Sequence, residues 1–255
     1  MYAPTPALSG LVRRWQLGWG IARDLPPADE ARGGLHVRHG EPDRHTEIIA
    51  LHADEDLDSV RALAEETAYS PNRDWLTVPT RHPEAVAAVL ADAGLAMDAG
   101  NETFMTTRLD GARHEHTVPE PYTSAVSLTG SVIEATVRHP SRTTAARGLM
   151  ALTGGDAVAH AVETRPAHRR RGLASTVMTA LSREAAARGA TIGLLVASPD
   201  GEALYSTLGW SAHAAVLIAR NGGPSRARDV VGGGRSAKVD LREHGSPRRA
   251  RPTRI

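Results

Sequence analysis

A chain of 255 residues with 41% hydrophobic residues has enough apolar material for a sizeable core, which excludes disorder throughout. The absence of cysteine excludes a disulfide framework, thiolate metal ligands and a cysteine nucleophile together. The net charge of +1 hides an asymmetry, because residues 221–255 carry nine Lys/Arg against three Asp/Glu, leaving the first 220 residues near −5 and the tail near +6.

Leu8, Leu11, Val12, Trp15 and Trp19 recur at spacings of three and four, which predicts an amphipathic helix over Leu8 to Ile21 with both tryptophans on its buried side. Asp24 to Gly40 reads as a polar connection, and His36, His39 and His45 as solvated surface groups. A regular alternation follows: a strand over Glu47 to His52, a helix over Leu57 to Glu66, a strand over Trp75 to Val78, a helix over Pro83 to Ala93 closed by Gly94, and a strand over Glu102 to Leu109. Such alternation builds an α/β layer.

Gly111 to Pro121, GARHEHTVPEP, is polar and broken by prolines, and the domain boundary is placed there. The expected division is an N-terminal unit over 1–110, a linker over 111–122, a second domain over 123–220 and a disordered basic tail over 221–255, punctuated by Gly232 to Gly234, Pro247 and Pro252. The tail has no interleaved aromatic platform, so no nucleic-acid partner is expected. His114, Glu115 and His116 lack the HExxH spacing, so no metal site is expected either. With no leader pattern at the start and no apolar run near the roughly 20 residues that span a bilayer, no membrane partner is expected and the chain reads as cytoplasmic.

Beyond the boundary, Thr123 to Leu128, Ser131 to Arg138 and Ala145 to Thr153 are extended runs joined by turn signals. AVAHAVET (Ala157 to Thr164) then leads through Pro166 into RRRGLA (Arg169 to Ala174), which opens a long helical pattern. TIGLLVAS and a short helix ending in LYSTLGW complete the stretch. The pattern predicts an antiparallel meander feeding one strand–helix–strand crossover. A weak echo links LTVPTRHPEAVAAVLADAGL to LLVASPDGEALYSTLGW; aligning Gly94 with Gly209 sets Leu90 opposite Tyr205. Nothing in the first half corresponds to RRRGLA.

RRRGLA at a helix N-terminus is an anion site in outline. Unpaired N–H groups and the positive end of the helix dipole face a ligand there, Gly172 admits close approach, small Ala174 keeps it open, and the arginines suit phosphate oxygens. With its context, this stretch resembles the GNAT superfamily of acyl-CoA N-acyltransferases. The first motif of that family has Arg or Gln, two residues, Gly, one residue, and Gly or Ala at a strand-to-helix turn, matched by Arg169, Gly172 and Ala174. LYSTLGW resembles its later tyrosine-bearing signature. The resemblance covers about 123–220 and implies an α/β (α+β) GNAT fold, a mixed and mostly antiparallel sheet with flanking helices. The layout also resembles a tandem arrangement, which implies a smaller degenerate GNAT-like unit before it.

The resemblance further implies acetyl-CoA as cosubstrate, held by Arg169, Arg170, Arg171, Gly172, Leu173 and Ala174 at the pyrophosphate and by the backbone of Val162 and Thr164 along the pantetheine arm and thioester. Tyr205 falls on the tyrosine that protonates the leaving thiolate. Ser198 stands where the family has an asparagine. Thr129-Gly130 joins two strands directly where most members insert two helices, so the N-terminal half is expected to wall the acceptor site. For the general base, His160 and Glu163 both stay open. In a regular strand His160 shares a face with Val158, Val162 and Thr164, and a bulge could re-aim Glu163. The expected activity is acetyl transfer to a primary amine of a small molecule, by direct attack in a ternary complex. Acetylation of a protein or peptide and non-catalytic acyl-CoA binding are the alternatives, and the assembly considered is a homodimer.

Overall fold

The computed structural model describes residues 7–109 and 117–222. The first half contains α1 (Leu8–Ala22), β1 (Asp29–Ala31), β2 (Gly34–Glu41), β3 (Arg44–Ala50), α2 (Leu57–Tyr69), β4 (Trp75–Thr80), α3 (Pro83–Asp92), β5 (Ala96–Met97) and β6 (Glu102–Arg108). The second contains β7 (Thr123–Thr129), β8 (Val132–Arg138), β9 (Thr144–Thr153), β10 (Asp156–Thr164), α4 (Leu173–Ala187), β11 (Ile192–Ala197), α5 (Pro199–Thr207) and β12 (Ser211–Arg220). Two sequence readings are corrected. Asp24 to Gly40 is not a connection but holds β1 and most of β2, whose polar, exposed edge hid the pattern. His39 is not solvated either: its side chain is fully buried against Glu47, and His36 is bonded to Glu66.

One sheet unites both halves, in the order β1, β2, β3, β4, β12, β6, β11, β10, β9, β8, β7, with β5 paired to β12 off this path. With β7 left without a counterpart, the order is symmetric about the β12/β6 pair. The parallel pairs β3/β4 and β10/β11 stand on either side of it, and the remaining neighbours are antiparallel. The last strand of each half is given to the other: β6 lies against β11, and β12 lies against β4. The boundary expected at 111–122 therefore divides the sequence, while the sheet crosses it twice; residues 110–116 lie outside the described residues.

Side-chain alternation sends the apolar residues of the inner strands to two layers, while β1 and β7 at the sheet edges stay exposed. On one face, α4 buries Leu173, Val177, Met178, Leu181 and Ala185 against Ile133, Ala135, Val137, Ala146, Met150, Ala157 and Ala159. The corresponding cluster of the first half, with α2 and α3, takes Ile48, Leu76, Val78, Leu217 and Ala219. The opposite face is covered by α1, whose Leu8, Leu11, Val12, Trp15 and Trp19 pack with Leu35, Ile49, Phe104, Val158, Leu194 and Val216. A Cβ at Gly18 would overlap the Val158 side chain, so only glycine lets α1 sit this close to β10. Arg14 on α1 is paired with Asp156 at the start of β10, which pins the helix across the second half.

Candidate active site

The parallel ladder between β10 and β11 has three residue pairs, Asp156 with Ile192, Ala157 with Gly193 and Val158 with Leu194. Both strands continue, β10 to Thr164 and β11 to Ala197, without pairing again. Their backbone groups in the resulting gap are left to another partner, and an unmet buried N–H or C=O is costly. Thr164 Oγ1, at the open end, is buried without a hydrogen-bond partner among the described residues.

A bulge shapes the same strand. Ala161 has φ 52° and the register with β9 shifts between His160, opposite Leu149, and Glu163, opposite Arg147. The expectation that His160 and Val162 share a face of a regular strand is thereby corrected. Val162 packs into the α4-side core, and would be 3.0 Å from a Cβ placed on Gly148, whereas His160 keeps the α1-side face of Val158. Because the bulge adds a residue, Glu163 returns to the face of His160. There it is exposed and paired to Arg147 at 2.7 Å. His160 makes no such pair among the described residues. Burial, with Arg23 and Arg44 nearby, pushes its pKa down to about 4, so it is neutral at pH 7.

After β10, a 3-10 turn at Pro166–His168 carries the chain to Gly172, the N-cap of α4, at φ 74° and ψ 6°. Arg170 is also left-handed, at φ 62°. Such alternation turns successive N–H groups inward. Thr176 makes the first helical bond, to Gly172, and no acceptor meets the N–H groups of Arg170 to Ser175 among the described residues. Arg169 Nε donates to the Thr164 carbonyl at 3.4 Å and Arg171 donates to the Tyr122 hydroxyl at 3.1 Å. Tyr122 also meets His168 Nδ1 at 2.9 Å, and His139 closes an aromatic trio around the turn. The Leu173 side chain is in the core, so only its backbone can serve a ligand.

Tyr205 lies on α5, packed 6.1 Å from Trp210 and buried in the α4-side core. Its hydroxyl makes no hydrogen bond within the described residues, and burial pushes its pKa up to about 12. Ser198 caps α5, accepting from the Gly201 N–H at 3.3 Å. Tyr205 and His160 thus belong to opposite faces of the sheet.

Several solved structures are similar in fold. A GCN5-related N-acetyltransferase from Kribbella flavida superposes at a TM-score of 0.59, with 18% identity, over 88% of this chain and 99% of that one. A tandem GNAT protein from the clavulanic acid biosynthesis pathway gives a TM-score of 0.53, with 16% identity, over 75% and 80%. A GCN5-related N-acetyltransferase from Sphaerobacter thermophilus gives 0.54, with 13% identity, over 85% and 91%. Residues 138–217 match the family model for FR47-like protein. The chain has the GNAT fold. No curated protein matches the sequence.

In GNAT terms the sequence reading left one element of the site unassigned, the strand beside β11. That strand is β6 from the first half, whose Phe104 and Thr103 pair with Val196 and Ala197. Helix α1, also from the first half, lies over the face where the short turn at Thr129-Gly130 supplies no helix. Both signals are non-local. A pocket of about 590 Å³, lined by Thr106, Leu109, Met178, Ser182, Trp210 and His213, opens at the other end of β6 and β11, away from Thr164 and Gly172. His114, Glu115 and His116 lie outside the described residues, as does the tail beyond Gly222. Among the described residues no three ligand-type side chains cluster, and no helix is long and apolar enough to cross a membrane.

Proposed function

We propose that the protein is an acyl-CoA-dependent N-acyltransferase that moves an acetyl group from acetyl-CoA to a primary amine of a small molecule, without a covalent enzyme intermediate. The observation that carries this reading is the unpaired gap between β10 and β11 running onto a glycine-capped, arginine-flanked helix N-terminus. A phosphate at that N-terminus meets free N–H groups and the positive end of the α4 dipole. An extended amide-bearing arm in the gap can pair with the strand edges as a third strand would. This reading assigns the pyrophosphate to Arg169 through Ala174 and the arm to the backbone around Val162 and Thr164, with the thioester at the bulge.

An N–H of the bulged backbone can stabilise the oxyanion that forms as nitrogen attacks. Tyr205 keeps its proton throughout the physiological range, because burial raises its pKa, and it can therefore supply that proton to the departing thiolate. His160, neutral at pH 7, can accept a hydrogen bond from the attacking nitrogen; Glu163 is held by Arg147 and is the weaker candidate. The first half serves as the acceptor-side wall through α1 and β6, and in this sense 1–110 and 123–220 are functional units. The reading is tested by thiol release from acetyl-CoA against a panel of small primary amines and short peptides. Turnover with small amines supports it, turnover with peptides alone reassigns the acceptor, and CoA binding without turnover on any acceptor overturns catalysis.

A further inference from the structure

Several charged groups on the α1 face are matched in pairs among the described residues. Arg44 is paired to Glu47, which also accepts from Thr77 and meets His39 at 3.2 Å. Although burial works to raise the pKa of Glu47, these partners hold it at about 2. Arg220 is paired to Asp98, and Arg23 stands 3.6 Å from Glu41. Trp19 and Trp75 flank the Arg44 guanidinium at 5.7 and 4.5 Å from their ring centres. Glu102 stands among these groups with no hydrogen bond or ion pair within the described residues. Each neighbouring cation is already committed elsewhere.

Its position follows from the strand exchange. In the register of β6 with β11, Thr103 faces Ala197, the last residue of β11, so Glu102 stands one residue past the end of that strand, opposite Val216. Phe104 packs with Val158 and Leu194 on the α1 side, and alternation puts Glu102 on the same side, as it puts His160 with Val158. Both groups lie within the field of Arg44. Burial, reinforced by Glu47 and Asp98, raises the carboxyl's pKa. A carboxylate kept partly from water without a counter-charge is unfavourable unless a cation arrives to meet it.

We propose that Glu102 is the ammonium-binding residue of the acceptor site and the first base of the reaction. The proposal rests on the donor reading given above. The acceptor enters as R–NH3+, paired to Glu102 on the α1 side of the gap. One N–H proton passes to the carboxylate, and the freed lone pair forms the C–N bond at the thioester carbon. When the C–S bond breaks, its electron pair leaves on sulfur, which takes the phenolic proton of Tyr205. The second N–H proton lost by the new amide nitrogen returns through water to the tyrosinate, and Glu102 releases the first to solvent. The acceptor class is therefore a cationic primary amine; an isosteric alcohol offers no charge for Glu102.

The test is ligand-observed NMR on the full chain saturated with CoA, using n-butylamine and n-butanol as probes. The expected result is amine binding by the native protein, no detectable butanol binding, and amine affinity lowered at least tenfold in Glu102→Gln at unchanged CoA affinity. Glu102→Asp, which keeps the charge, is expected to retain part of the amine affinity, and melting curves check that both variants are folded. Native-like amine affinity in Glu102→Gln, equal binding of amine and alcohol, or no amine binding by the native protein each overturns the proposal. Failure of the native protein to bind CoA would instead overturn the donor reading, and the amine comparison is then scored on the free protein.

Discussion

The two halves of the sheet solve the same local problem in opposite ways. Each has a parallel strand pair of three-residue register that then separates, followed by a helix aimed at the opening, α2 after β3 and α4 after β10. In the first half the chain fills its own opening. Asp56 caps α2, accepting from the N–H groups of Asp58 and Ser59 at 3.1 and 3.2 Å. Asp54 accepts from the Thr80 hydroxyl and the Arg81 N–H at 2.7 and 2.8 Å, lacing the strand ends together. In the second half the cap is Gly172, the flanking charges are arginines, and the N–H groups stay free. The comparison teaches that an anion site at a helix N-terminus is lost when a carboxylate of the chain occupies it, and kept when glycine declines to.

The comparison can be broken most severely by giving α4 the cap of α2. Gly172→Asp places a carboxylate where the pyrophosphate is proposed to sit, and affinity for acetyl-CoA by calorimetry is expected to fall more than a hundredfold. Asp tolerates the left-handed region better than most side chains, so the stability loss is expected to stay near 1 kcal/mol. Retained affinity would remove the anion site from α4. A smaller effect is expected at the other end of the donor. Tyr205→Phe is expected to lower kcat by about two orders of magnitude, typical of a lost general acid, with acetyl-CoA affinity within twofold; equal loss of both would mean that Tyr205 serves packing.

The smallest effect is expected from emptying the filled site. Asp56→Ala removes the α2 cap, at a cost of about 1 kcal/mol, read as a lower Tm with donor affinity unchanged. If this variant gained CoA affinity, the first half would be a masked donor site and not a filled one.

Local signals carried much of this to the reader of the sequence. The three-and-four spacing of Leu8 through Trp19 marked α1, and the order of strand, RRRGLA and helix marked the turn at Gly172, because both depend on neighbours in the chain. The exposed strand β1 and the polar second half of β2 were hidden by their polarity, and Arg32 in the turn between them takes positive φ without being glycine. The bulge at Ala161 could be suspected but its effect on Val162 and Glu163 could not be assigned without the β9 register. Glu102 read only as the first residue of a strand. Its place opposite Val216, and the pairing of Arg220 to Asp98, join residues more than a hundred positions apart, so no local pattern shows that it stands among arginines committed elsewhere.

The exchange of β6 and β12 also governs how the molecule can come into being on the ribosome. When the first half has been synthesised, β4 still lacks the neighbour that completes its edge, since that neighbour is Ser211–Arg220. The first half must wait with an open strand edge while about a hundred more residues are added, several seconds or more at ordinary elongation rates. Closure of the sheet is then a single late event joining both halves, with the long loop-closure cost that slows non-local strand pairing. The proposed donor and acceptor sides of the site are in this way made simultaneously, and neither half can be assembled as a finished sheet by itself.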